Sequence, residues 1–334
     1  MRSNSLRNDK RIVVVLPNRV GDAILSLPLL ICLKRLVTDH GPTGTVIETV
    51  TFSPLIEVFA AVGVTGVTQM GFGTRLRSWL KPPDMAFFLT ATSKNFGFHA
   101  RSTFGLRQRN KQLVRYDNNL PCLRGEPLPA ALEQHLTTKC RLPRYCVQPF
   151  GIALALGYSV EQVLSSFSFS RQSLPLDRSP LTAEQAGAAP YLVYCMEAAY
   201  GKGRRNDVRR WVTEHHLGLA RQLSERHGCR IVFIGLAADP PIPESGRFLD
   251  LRGRLSLWQL FQVMAGANGY VGNDTGPLHL ANLAGIPSTG IYSSEDHHAP
   301  LFGELNTVVM RPAGPDDVLP EVQRMIHSTA LAAW

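Results

Sequence analysis

The sequence lacks an apolar run long enough to cross a bilayer. The best candidate, residues 23–33, is about half the required length and contains Ser26 and Pro28. The first ten residues, MRSNSLRNDK, are polar and have no apolar segment typical of a secretory signal. No G-x-G-x-x-G follows the first apolar stretch, which argues against a dinucleotide-binding dehydrogenase. We therefore expect a soluble cytoplasmic protein.

Paired cysteines are also missing, since none of the six forms a C-x-x-C pattern. This spacing favours reduced, mostly buried thiols. Cys140 and Cys146, with Cys122 and His135 nearby, are an alternative set of metal ligands, but their spacing fits no standard zinc pattern. We predict no metal.

Acidic residues are fewer than basic ones, and the net charge of +9 is unevenly distributed. Residues 101–145 contain nine Lys or Arg against three acids, and a second basic cluster, KGRRNDVRR, spans residues 202–210. Such clusters suit phosphates, acidic glycolipids, anionic membranes or nucleic acid, although each residue could equally belong to a solvated face. No zinc-finger, RNP-like or helix-turn-helix pattern is present, so we expect no nucleic-acid partner.

With 334 residues, 44% of them apolar and 18% charged, the chain is long enough for two globular domains. Apolar strand-like and amphipathic helix-like segments alternate, which favours α/β domains with parallel sheets. The predicted strands are residues 11–17, 45–52, 84–91, 191–196, 229–235, 270–272 and 288–292. The predicted helices are residues 23–36, kinked at Pro28, 54–63, 208–228, ending at Gly228, 255–267, 277–285 and a tail from Asp316.

A stretch rich in Pro, Ser and Ala, residues 171–190, has no apolar period and is the predicted boundary. We therefore predict two Rossmann-like domains, residues 1–175 and 190–334, with a C-terminal helix that could return to the first domain.

The sequence NDTGPLHLANLAG, from Asn273 to Gly285, follows a predicted strand and opens a helix. The free backbone N–H groups at Thr275 and Gly276 would form an anion site, which the helix dipole strengthens. His279 lies in the first turn, and Asp274 could accept hydrogen bonds from sugar hydroxyls. The alternative is structural, with Asp274 or Thr275 as a helix cap and His279 as a satisfied polar residue.

NRVGD, residues 18–22, stands at the matching position in the first half, as a loop between a strand and a helix. Gly21 allows close approach of the backbone to a ligand. Asp22 could act as a general base at the carboxyl edge of the sheet, or it could simply cap the helix.

VVVLPNRVGDAILSLPLL together with DLRGRLSLWQLFQVMAGANGYVGNDTGPLHLANLAGIPSTGIY resembles the ADP-heptose:lipopolysaccharide heptosyltransferases, glycosyltransferase family 9. The resemblance covers about the first 40 and the last 90 residues of the respective halves. It implies the GT-B fold, with two Rossmann-like domains whose parallel sheets face each other across a cleft. It also implies inverting, metal-independent transfer of a heptose or similar sugar to an anionic glycolipid or polysaccharide acceptor, without a cofactor.

The resemblance assigns roles to particular residues. Asp22 matches the catalytic base, and Asp274 matches the acid that holds the donor sugar. The other implied donor-binding residues are Thr275, Gly276, His279 and Arg209, which stands in place of a family lysine. We add Lys202 to the donor-binding residues, from a loop that is longer than usual in the family. We predict that Asn18, Arg19, Gly21 and Arg101 bind the acceptor, although the resemblance matches no individual residue of the basic region around Arg101.

One departure concerns the donor site. Many family members carry Gly-Gly and a ribose-binding Glu after the strand that corresponds to CRIVFIG, whereas this chain reads GLAADPP with Asp239 as the nearby acid. We expect a nucleotide sugar, ADP-linked by resemblance, with peripheral contact to the inner face of the cytoplasmic membrane. Two alternatives stay open: a glycosyltransferase of the same fold acting on a protein or small molecule with another donor, and a non-catalytic nucleotide-binding protein.

Overall fold

A computed structural model of the chain describes residues 11–42, 44–51, 54–80, 83–89, 112–116, 122–123, 126–171, 190–197, 199–200, 204–205, 210–236, 240–243, 245–293 and 299–332. The chain divides into two compact units, Met1–Pro175 and Leu176–Trp334. Each unit is built around its own parallel sheet.

The first unit contains a five-stranded sheet in the order β3-β2-β1-β4-β5. Its strands are β1 (Arg11–Val15), β2 (Val46–Thr51), β3 (Val67–Gln69), β4 (Met85–Leu89) and β5 (Gln112–Tyr116). All neighbours are parallel, and β1 pairs with β2 from Arg11↔Val46 to Val15↔Val50. A short antiparallel pair, β6 (Cys122–Leu123) and β7 (Glu126–Pro127), follows.

The helices of the first unit supply the crossovers and a later helical segment. They are α1 (Val20–Ile24), α2 (Leu27–His40), α3 (Ile56–Ala61), α4 (Phe72–Leu80), α5 (Ala130–Gln134), α6 (Arg144–Val147), α7 (Gly151–Ala155) and α8 (Val160–Ser166). A π-helical turn, His135–Lys139, extends α5, and a 3-10 turn, Gln148–Phe150, precedes α7.

The predicted helix over residues 23–36 is two helices. The first ends at Ile24, and the second begins at Leu27 with Pro28 in its opening positions. Proline has no N–H to donate and clashes with the preceding turn, so the chain restarts the helix there instead of kinking it. The predicted NRVGD loop is also shorter than expected, because α1 already includes Gly21 and Asp22.

The second unit contains a six-stranded sheet in the order β12-β11-β8-β13-β14-β15. Its strands are β8 (Tyr191–Cys195), β11 (Arg230–Phe233), β12 (Phe248–Asp250), β13 (Gly269–Asn273), β14 (Ser288–Tyr292) and β15 (Asn306–Met310). All are parallel, and β9 (Ala199–Tyr200) with β10 (Arg204–Arg205) forms a separate antiparallel pair. Both edge strands, β12 and β15, are additions to the predicted set.

Four helices accompany this sheet: α9 (Thr213–His227), α10 (Leu257–Ala265), α11 (Gly276–Leu283) and α12 (Pro315–Ala332). Gly228 ends α9 in the left-handed region at φ 65°, as predicted, whereas the helix begins five residues later than residue 208. The C-terminal helix α12 packs on α9 and on β13, β14 and β15 of its own unit. The two parallel sheets confirm the predicted α/β class.

Candidate active site

Each sheet has a topological switch point, where two neighbouring strands lead their helices to opposite sides. In the first unit it lies between β1 and β4, and in the second between β8 and β13. Ligands of open α/β sheets bind beyond the carboxyl ends of the strands at such points. The segment after β1 holds Asn18 to Asp22, and the segment after β13 holds Asp274 to His279, so the predicted residues follow these strands directly.

In the first unit, Asp22 lies in the first turn of α1 and is half-buried. Arg19, not Asp22, is the N-cap residue: its backbone is extended, and its carbonyl accepts from Ala23 N at 2.9 Å. The capping alternative for Asp22 is therefore wrong. Gly21 is buried, and Asn18 is exposed.

Asp22 also lies close enough to the thiol of Cys146 in α6 to influence it. Burial raises the pKa of Cys146 well above its ordinary value, and the negative charge of Asp22 raises it further. Cys146 therefore stays a neutral thiol beside the carboxylate. This electrostatic interaction couples the α1 turn to the later helical segment of the same unit.

In the second unit, Asp274 and His279 are 7% and 5% exposed, although both are polar. Thr275 is the N-cap of α11, but its hydroxyl makes no capping bond and donates to the carbonyl oxygen of Asn273 at 3.4 Å. Pro277 occupies an opening position of the helix, as predicted. Pro277 has no N–H and Leu278 N donates to Thr275 O at 3.0 Å, so at this turn the N–H groups of Thr275 and Gly276 are the ones that can donate to an anion.

Asn273, which sequence analysis passed over, joins three segments beside Asp274. Its amide nitrogen donates to Met196 O at 2.8 Å, and its amide oxygen accepts from Trp211 N at 3.3 Å. Asn273 is fully buried. It therefore fixes the ends of β8 and β13 against the segment that follows the basic cluster.

Trp211 is held from its other side as well. Its indole N–H donates to Pro312 O at 2.9 Å, and its ring packs edge-on against His216, with centroids 4.9 Å apart. His216 Nδ1 lies 3.1 Å from the hydroxyl of Tyr194. Burial lowers the pKa of His216 to about 3, so this imidazole is neutral near pH 7.

Glu197 is a second residue that sequence analysis missed. It is the second residue after β8, and its Oε2 accepts from Leu236 N at 2.9 Å. Gly235, at φ 149°, leaves room for this carboxylate, because a Cβ there would lie 2.8 Å from Glu197 Cδ. The signal was available in the sequence, since a carboxylate just after a buried parallel strand lies at the binding edge.

Three predicted site residues, Arg101, Lys202 and Arg209, lie outside the described residues, as does Asp239. The neighbouring Arg210 is described and donates to Thr213 Oγ1 at 2.8 Å, at the start of α9. The end of the basic cluster therefore leads into the N-terminus of a long helix.

Within the described ranges, no group of three or more His, Cys, Asp or Glu side chains could hold a metal ion. The same part of the chain contains no helix with the length and apolar character needed to span a bilayer.

The site residues of the second unit lie in a part of the chain that resembles a known protein family. Residues 152–317, which include Glu197, Asn273 and Asp274, match the family model for Glycosyltransferase family 9 (heptosyltransferase). The chain carries a glycosyltransferase family 9 domain. The expectation of a glycosyltransferase is thereby confirmed. A search of curated proteins found no match for this glycosyltransferase.

Solved structures extend the likeness over both units of the glycosyltransferase. The ADP-heptose lps heptosyltransferase II of E. coli is 18% identical, covers 95% of this chain and 99% of its own, and has a TM-score of 0.59. E. coli heptosyltransferase WaaC with ADP-2-deoxy-2-fluoro heptose is 17% identical, with coverages of 94% and 99% and a TM-score of 0.60. A glycosyl transferase family 9 structure from Veillonella parvula is 15% identical, with coverages of 97% and 100% and a TM-score of 0.62. These likenesses confirm the predicted GT-B-like fold.

Proposed function

We propose that this glycosyltransferase moves a heptose or a similar sugar from an ADP-linked donor to an anionic glycolipid, with inversion and without a metal ion. The observation that carries the proposal is the turn after β13, where a buried carboxylate, Asp274, directly precedes the N-terminus of α11. A carboxylate suits sugar hydroxyls, and a helix N-terminus suits a diphosphate. The WaaC structure, whose ligand is an ADP-heptose analogue, supports the choice of donor.

In the proposed reaction, the acceptor hydroxyl oxygen attacks the anomeric carbon while the bond from that carbon to the diphosphate oxygen breaks. The electron pair of that bond leaves with the diphosphate, and Asp22 takes the proton of the acceptor hydroxyl. One displacement inverts the anomeric configuration. Gly276 N–H and Arg209 would stabilise the charge that develops on the leaving diphosphate.

In this proposal, Asp274 and His279 bind the donor before the reaction begins. Asp274 would accept from hydroxyls of the transferred sugar, and its neighbour Tyr292 stays a neutral phenol because burial and the Asp274 charge raise the pKa of Tyr292. Lys202 would add a further positive charge for the diphosphate. Asn18, Arg19, Gly21 and Arg101 would bind the acceptor, whose negative charge the excess of basic residues in the chain favours.

The glycolipid acceptor is preferred to a protein or small molecule because residues 101–145 have nine basic residues against three acids. Such a balance attracts a carboxylated or phosphorylated sugar. An acceptor of this kind would place the enzyme at the inner face of the cytoplasmic membrane.

A thermal-shift screen with ADP, UDP, GDP and CDP and their sugars tests the donor. We expect ADP and ADP-heptose to raise the melting temperature most, because a ligand that binds only the folded state stabilises it. Greater stabilisation by another nucleotide would replace the proposed donor. No stabilisation by any nucleotide would contradict the donor site itself.

A further inference from the structure

Helix α4 exposes an apolar residue at every fourth position. Phe72, Leu76 and Leu80 are 83%, 44% and 68% exposed. Residues four apart lie on the same face of a helix, so the three form a stripe about 12 Å long. We call this set the α4 stripe.

The α4 stripe differs from the isolated exposed apolar residues found on most proteins. Other large apolar residues with this exposure in the described ranges are Val46, Val212, Leu236, Val308 and Met310, and no three of them share one element. The start of α4 also faces open space, because a Cβ added at Gly73 would meet no atom within 4 Å. Three exposed apolar residues aligned on one helix face indicate a contact site.

The charge of this segment is of one sign. The ionisable residues of α4 are Arg75 and Arg77, Lys81 follows in the sequence, and no acidic residue occurs between Glu57 and Asp84. A short helix that combines an apolar stripe with arginines is typical of elements that lie in the interface of an anionic bilayer. The same charge disfavours a second copy of this chain as the occupant, because two such surfaces would repel each other.

We propose that α4 docks on an anionic phospholipid bilayer, with the α4 stripe inserted among the lipid headgroups and Arg75 and Arg77 supplying the electrostatic attraction. The proposal rests on the proposed function in one respect, namely that a glycolipid acceptor lies in a membrane. Docking through α4 would keep the enzyme at the surface that presents its acceptor.

Vesicle flotation of the full chain tests this proposal without any sugar nucleotide. The vesicles are phosphatidylcholine alone, or phosphatidylcholine with an equal part of phosphatidylglycerol. The stripe variant carries Phe72→Gln, Leu76→Gln and Leu80→Gln, because glutamine is polar and a good helix former. The arginine variant carries Arg75→Gln and Arg77→Gln. The matched control changes three exposed apolar residues elsewhere (Val46→Thr, Val308→Thr, Met310→Thr).

We expect the parent and the control to bind the phosphatidylglycerol vesicles and the stripe variant to bind at least about tenfold less tightly. At low salt, the affinity of the arginine variant for the phosphatidylglycerol vesicles should fall about fivefold for each arginine removed. All the proteins should bind weakly to vesicles of phosphatidylcholine alone. Equal binding by parent and stripe variant, or no binding by the parent, would overturn the proposal. A parent dimer that only the stripe variant dissociates would also overturn it, since the stripe would then contact a second copy.

Nucleotide binding by the same variants separates this inference from the proposed function. We expect ADP to shift the melting temperature of the stripe variant as much as that of the parent. A failure of the proposed donor would appear as no shift in the parent, and the flotation result would still decide the role of α4.

Discussion

The side-chain amide of Asn273 donates a 2.8 Å hydrogen bond to the carbonyl oxygen of Met196, joining the carboxyl ends of β13 and β8. The same amide accepts from Trp211 N at 3.3 Å. Asp274 is the next residue in the chain, so the geometry of the proposed donor site depends on a buried amide that itself reaches no solvent. We therefore predict that Asn273 positions Asp274 without contacting the donor itself.

Replacing Asn273 with Asp keeps the acceptor for Trp211 and removes the donor to Met196. We expect the variant to lose about 1–3 kcal/mol of unfolding free energy, because Met196 O loses its partner and a carboxylate is buried. We also expect a higher KM for the donor, because the turn that contains Asp274 shifts. Urea denaturation and steady-state kinetics measure the two effects.

Asn282 offers a matched control for this variant. It is also a fully buried amide, and it bridges α11 to Phe302 with bonds of 2.8 Å and 2.9 Å. Asn282→Asp should cost similar stability and leave the donor KM nearly unchanged. If both variants raised the donor KM equally, Asn273 would have no positioning role beyond stability.

The buried His216 should make stability depend on pH. Its pKa is 6.5 in the unfolded chain and about 3 in the folded state, so the unfolded state binds more protons between these values. The contribution of His216 to the free energy of unfolding is therefore fully present above pH 6.5, and it is lost as the pH falls toward 3. One such group changes the unfolding free energy by up to about 1.4 kcal/mol per pH unit.

Urea denaturation at several pH values within that window checks this expectation. His216→Gln should flatten the pH dependence, and His40→Gln, at an exposed position near the end of α2, should leave the slope of the parent. A slope in His216→Gln as steep as that of the parent would show that other groups cause the pH dependence.

Arg209 is the predicted phosphate-binding residue of the basic cluster. Arg209→Gln should weaken ADP binding by about 1–3 kcal/mol, the range for loss of a charged hydrogen-bond partner. Arg221→Gln, on an exposed position of α9, removes the same charge away from the cluster and should bind ADP as the parent does. Isothermal calorimetry with ADP that finds equal affinity for all three proteins would remove Arg209 from the donor site.

Periodicity predicted the buried parallel strands well, because β8 and the Ile12–Val15 part of β1 are continuous apolar runs that are buried. Periodicity did not predict the edge strands β12 and β15. Their burial patterns are weak, with Phe248 to Asp250 all half-buried, so pairing with a neighbour decides their conformation instead of local apolar character.

The candidate site was predicted where a local pattern marks it. The N-D-T-G turn and Pro277 identify the start of α11 without reference to the rest of the chain. The bonds of Asn273 to Met196 and Trp211, and of Glu197 to Leu236, bring together residues 39 to 77 positions apart. Such contacts depend on strand order, which a linear pattern does not contain.

The most direct test of the account is a transfer assay that compares the parent with Asp22→Asn, using ADP-heptose and an anionic glycolipid acceptor, with ADP affinity measured in parallel. We expect the parent to transfer the sugar. We expect the variant to lose about 10²–10⁴-fold in rate, the usual contribution of a general base, while its ADP affinity stays that of the parent. Unchanged turnover by Asp22→Asn, or no transfer by the parent, would contradict the account.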